Sequence, residues 1–133
     1  MIETFNRAFA AFKGKIEYFT SSDSAAVTLG VAGGSYLHLG YWRLVVEGRA
    51  ILSWLDHGDW YGRKFDAGAQ LHPEVLGRQC LGITVDPTTG DLLVRLDGDR
   101  ILVGFRLTQG FEDWEVKLPD GEAFWSNYAF EPD

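Results

Sequence analysis

Apolar and other residues alternate with a period of two through most of this chain. In "WEVKLPDGEAFW" (residues 114–125), Trp114, Val116 and Leu118 fall on one side, with Glu115 and Lys117 on the other. Such alternation marks strands with one buried face. Turn chemistry punctuates it: "PDG" at 119–121, Asp97-Gly98 in "LDGDR", and the longer "DPTTGD" at 86–91. The predicted strands are 15–20, 26–31, 35–39, 42–47, 49–54, 80–85, 91–96, 100–105, 113–118 and 122–126. Two helical pieces interrupt them. Ile2, Phe5, Phe9 and Phe12 recur at helical spacing before Gly14, and "HPEVLG" (72–77) reads as one turn, with Pro73 first and Gly77 ending it.

The pattern occurs twice. Setting Trp42 of "YWRLVVEGRAILSW" (41–54) against Trp114 places Leu44 beside Val116 and Val46 beside Leu118. Gly48 then meets Gly121 after one inserted residue. Further back, residues 25–40 match 90–105, and "FKGKIEYF" (12–19) echoes "LGRQCLGI" (76–83). An ordered series of matches points to duplication. The expected fold is therefore mainly β, an antiparallel barrel or two-layer sandwich built from two similar halves, with one or two short helices. It is expected to be a single domain over residues 1–133: repeat 1 at about 12–54, a connector at 55–75 and repeat 2 at about 76–126.

Charge changes the picture more than composition does. The net charge is −7, and residues 86–133, with eleven acids against four bases, carry the whole excess. That balance repels phosphate backbones, so nucleic acid is not an expected partner, whereas a basic protein surface is attracted. No apolar run approaches the ~20 residues that span a bilayer, so no membrane association is expected. The first residues do not read as a secretory signal. A single cysteine, Cys80, precludes an internal disulfide, and a cytoplasmic setting is expected.

Motifs for catalysis are not evident: there is no phosphate loop, dinucleotide fingerprint or nucleophile elbow. "DHGD" (56–59) offers Asp56, His57 and Asp59 to a metal, but one cluster without a partner motif reads better as a polar connector. Cys80 reads as a small buried residue. No cofactor or metal is expected. Trp42, Trp54, Trp114 and Trp125 hold repeated strand positions and are expected to pack. Trp60 and Tyr61 lie in the irregular connector, either as an interface anchor or folded back on the sheet.

The halves differ most just before the second tryptophan. Five positions lead from Leu37 to Trp42, but eleven lead from Val103 to Trp114. The extra chain, "LTQGFED" (107–113), is not required by the shared fold and is a place to look for function. Phe111, followed by Glu112 and Asp113, suits docking on a basic protein, with Asp97 and Asp99 as further acidic contacts.

The "GDLLVRLDGDRILV" hairpin followed by "WEVKLPDG" is similar to small bacterial two-repeat β proteins of uncharacterised function. These resemble immunity proteins encoded beside polymorphic or contact-dependent toxins. The likeness covers mainly residues 76–125, with a weaker echo at 12–54. Its motifs are turns and packing tryptophans, so it transfers no site residue. It implies a non-catalytic cytoplasmic protein that neutralises a basic toxin nuclease domain. The alternatives are a small-molecule-binding β barrel, a structural domain without a ligand, or a small enzyme whose carboxylates meet across the sheet.

Overall fold

The computed structural model describes residues 1–132; Asp133, counted above among the acids, lies outside them. The described residues form helix α1 (Ile2–Ala8), strands β1 (Gly14–Ser21), β2 (Val27–Val31), β3 (Ser35–Leu39), β4 (Trp42–Val46) and β5 (Arg49–Ser53), and a 3-10 turn (Trp54–Asp56). A small hairpin, β6 (Gly58–Trp60) and β7 (Arg63–Phe65), leads to helix α2 (Ala67–Val75). Strands β8 (Gln79–Val85), β9 (Leu92–Leu96), β10 (Arg100–Gly104), β11 (Trp114–Lys117) and β12 (Ala123–Trp125) follow, then a second 3-10 turn (Ser126–Tyr128).

All ten strands expected from the alternation are present. They form one antiparallel sheet in the order β12-β11-β3-β2-β1-β8-β9-β10-β4-β5, with no pairing between its two ends among the described residues. Three expectations differ from the structure. The connector is structured, containing the β6–β7 hairpin. And α2 begins six residues before Pro73, which lies inside it, with the Asp66 carboxylate accepting the Ala69 N–H as an N-cap at 3.0 Å. Gly14 also does not stop α1. It opens β1, five residues beyond the cap at Phe9.

The order of strands reveals an exchange. The meander β1–β3 continues not into β4–β5 but into β11–β12, while β8–β10 receives β4–β5. Two five-stranded halves result, each completed by the hairpin that follows the other half's meander in sequence. They meet where Gly14 pairs with Cys80 and Lys15 with Gln79. The registers of the two meanders correspond residue by residue, whereas β4–β5 carries a bulge between Leu44 and Val45 that β11–β12 lacks. Trp42 opposes Gly104, and Trp114 opposes Leu39. The bulge between Ile16 and Tyr18 in β1 matches that between Cys80 and Gly82 in β8.

The halves press face to face around one core. A Cβ on Gly104 would come 2.6 Å from Leu39 Cδ2 of the opposite half, so any side chain there would push Leu39 out of its place in the core. Inward residues such as Leu37, Leu39, Leu92 and Val94 are fully buried. Helix α1 covers one side, where Phe5 meets Trp114 and Phe124 edge-on with centroids at 6.1 and 5.1 Å. Trp42 and Trp114 fill the interior. Trp54 and Trp125, also expected to pack, do so half-buried where β5 and β12 end, Trp54 against Tyr41 and Phe105 and Trp125 against Tyr128.

Candidate functional site

The extra chain at 107–113 is held by Asp113. Its carboxylate Oδ2 accepts the N–H groups of Leu107 and Thr108, both at 2.7 Å, and the Thr108 hydroxyl at 3.2 Å. Its own N–H donates to Ser126 Oγ at 2.7 Å, and its carbonyl accepts the Gly40 N–H at 2.9 Å. A buried carboxylate requires such partners, because an unpaired one would cost several kcal/mol. Asp113 is 3% exposed. This corrects its expected role: it is the anchor of the loop and is turned away from any docking partner.

The same anchoring leaves Phe111 and Glu112 outward. Phe111 is 72% exposed, a large apolar side chain on a backbone whose ends are fixed. Beside it lies a shallow depression of about 370 Å³ lined by Ser24, Ala26, Tyr41, Trp54, Phe111 and Glu112. Its floor is stiffened by aromatic contacts. Tyr41 and Trp54 meet at 5.3 Å, Trp54 and Phe105 at 5.8 Å, and the Arg43 guanidinium stacks over Phe105 at 5.2 Å. Sequence patterning did not single out Tyr41 or Phe105, since each continues an ordinary strand rhythm.

Asp97 and Asp99 lie elsewhere. They occupy the β9–β10 loop, and β10 separates them from Phe105 and the 107–113 loop by roughly 20 Å. Asp97 Oδ1 accepts the Gln79 N–H at 3.0 Å. The Asp99 carbonyl accepts the Glu47 N–H, and adjacent Arg100 pairs with Glu74 at 2.8 Å. These acids therefore do not join Phe111 in one surface. Strand exchange also divides the acidic part of the sequence: Asp86, Asp91, Asp97 and Asp99 go with the β8–β10 half, and Glu112, Glu115, Asp120 and Glu122 with the other.

Trp60 and Tyr61 are parted by the hairpin turn. Trp60 is half-exposed and its indole N–H donates to the Asp56 carbonyl at 2.9 Å. Tyr61 is fully exposed at the tip, where Tyr61 and Gly62 take φ of 53° and 77°, the conformation of a two-residue hairpin turn. Leu55, Trp60 and Phe65 line a shallow depression of about 520 Å³ with Arg63 and Lys64.

The "DHGD" side chains serve the local fold. The Asp56 carboxylate accepts the Ser53 N–H at 2.8 Å. His57 Nδ1 accepts the Ala67 N–H at 3.2 Å, which leaves Nε2 as the donor to the Asp23 carbonyl at 2.8 Å. Both ring nitrogens are thus engaged, and Asp59 stands apart and exposed. Cys80 is buried in β8, and that burial raises its thiol pKa, which disfavours the nucleophilic thiolate.

Comparison with protein-family models, with curated proteins and with solved structures returns no match. The chemistry of the surface therefore rests on its own geometry. No helix among the described residues is long and apolar enough to cross a membrane.

Proposed function

We propose that this protein is a non-catalytic binding module for a protein with a basic surface. Its most concrete form is a cytoplasmic immunity protein that covers a basic toxin nuclease domain. The observation that carries this reading is Phe111, 72% exposed on a loop whose backbone is fixed by buried Asp113. An aromatic presented on a pre-ordered loop binds without a large ordering cost. Adjacent Glu112 supplies a carboxylate that Phe111 would shield from water on docking, strengthening its pairing with Arg or Lys. The net charge of −7 favours encounter with a basic surface and opposes phosphate backbones.

A ligand-binding barrel fits less well, because Trp42 and Trp114 occupy the space between the halves. The matched registers support descent of the halves from one duplicated five-strand unit that exchanged its last hairpin. The 107–113 loop then marks where one copy acquired something the fold did not need.

The test is capture with the full chain as bait, followed by measurement on the purified pair. A basic partner binding wild type, and at least about tenfold more weakly to Phe111→Ala, supports the reading. A partner whose affinity is indifferent to Phe111→Ala and Glu112→Lys contradicts it.

A further inference from the structure

The outer face of the β1–β3 half carries a second feature. Register places Tyr18, Gly30 and Tyr36 side by side in one row across β1, β2 and β3. Both tyrosines are about half-exposed, at 53% and 48%, Tyr18 just after the β1 bulge and Tyr36 within β3. A Cβ on Gly30 would meet Tyr18 Cβ at 2.8 Å and its Cγ and Cδ1 at 3.6 Å, so the Tyr18 side chain leans over the glycine while staying half-exposed. A depression of about 540 Å³ follows this row.

The next row is polar. Thr28 pairs with His38, and His38 with Glu115. Thr28 Oγ1 and His38 Nδ1 are hydrogen-bonded at 2.9 Å. A second depression of about 460 Å³ joins these residues to Tyr36 and Lys117.

The fold does not require this surface. At the matched positions of the other half, the row reads Gly82, Arg95 and Ile101, without an aromatic ring. One copy therefore carries an aromatic platform with polar groups along its edge, and the other does not.

We propose that the Tyr18–Gly30–Tyr36 row is a binding platform for a neutral carbohydrate chain. The C–H faces of a pyranose are weakly apolar and stack on aromatic rings, while its hydroxyls both donate and accept. The half-exposed tyrosine rings supply the first contact, and Thr28, His38 and Glu115 supply the second. Glu17 lines the same depression, so Glu17 and Glu115 outweigh Lys117 on this face, which gives no cationic centre for a phosphate or sulfate ester. The spacing of the tyrosines, two strands or about 10 Å apart, suits an extended chain rather than a single sugar. This site lies apart from the Phe111 loop and does not depend on the partner proposed for it.

The test is to titrate the full chain separately with cellohexaose, maltohexaose and chitohexaose, following amide resonances. At least one of the three is expected to shift the amides of Gly30, Gly33 and Gly34 to saturation. Tyr36→Ala should weaken that binding about tenfold or more, whereas Tyr36→Phe and Arg95→Ala, the latter at the Gly30 position of the other half, should preserve it. Amide spectra of each variant report whether the fold is intact. The proposal is overturned if none of the three sugars binds, if the shifts map elsewhere, or if a folded Tyr18→Ala/Tyr36→Ala variant binds as wild type. It is equally overturned if a polyproline peptide saturates this face and the sugars do not.

Discussion

Trp42 and Trp114 make the same bond from matched places in the two halves. The Trp42 indole N–H donates to the Ala25 carbonyl at 2.6 Å, and that of Trp114 to the Gly90 carbonyl at 2.9 Å. The acceptor residues correspond as well: Ala25 and Gly90 each precede the middle strand of a meander, with φ of 65° and 77°. Each tryptophan stands on an exchanged hairpin and reaches into the other half. It thereby ties the exchange together with both packing and a hydrogen bond.

Trp114→Ala is expected to cost about 3–5 kcal/mol in denaturant unfolding, the usual range for truncating a buried aromatic. Trp42→Ala should fall in the same range. Phe111→Ala should cost less than about 0.5 kcal/mol, because an exposed side chain away from packing contributes little.

The acceptor positions make an asymmetric prediction. Gly90→Ala forces a side chain into left-handed backbone and brings its Cβ within 2.6 Å of Arg106 Cδ and 2.9 Å of Phe130 Cε2. Thermal and denaturant unfolding should show a loss of about 1–3 kcal/mol. Ala25→Gly relieves the same backbone cost but removes a buried methyl, worth about 0.8 kcal/mol. Its net effect should stay within about 1 kcal/mol of zero.

Asp113→Ala removes the acceptor for two backbone N–H groups and a hydroxyl. A loss of about 2–3 kcal/mol is expected. Hydrogen exchange at Leu107 and Thr108 should quicken more than exchange in β9. Equal protection of those amides in the variant would mean that the loop does not depend on the carboxylate.

Cys80 gives a pH prediction. Burial raises its folded-state pKa above the ordinary value of about 9, so the folded protein holds the thiol proton more firmly than the unfolded chain does. Its contribution to stability is complete below the unfolded pKa and declines as pH rises through and beyond that value. Unfolding free energy should therefore be flatter with pH above about 9 in Cys80→Ala than in wild type. A thiol reagent at neutral pH should label the native protein far more slowly than the unfolded chain.

Local pattern made the strands legible. In β9, Leu92, Val94 and Leu96 alternate without interruption, and each is buried. The exchange was not legible, because nothing in "YWRLVV" says whether its partner is β3, three residues earlier, or β10. Short connections favour the neighbour, and tertiary packing overrode that preference. The β6–β7 hairpin escaped because tyrosine at a positive φ is an unusual start to a two-residue turn. Phe111 was recognisable as extra chain, but Asp113 beside it looked like any surface acid. Its burial depends on Ser126 and Gly40, both distant in sequence.

The most direct test of the binding surface is the association rate of Glu112→Lys with the basic partner, at low and at moderate salt. Slower association than wild type is expected, with a flatter salt dependence, because one carboxylate that attracts the partner has become a repelling cation. Rates unchanged at both salt concentrations, with the variant folded, would contradict contact through the 107–113 loop.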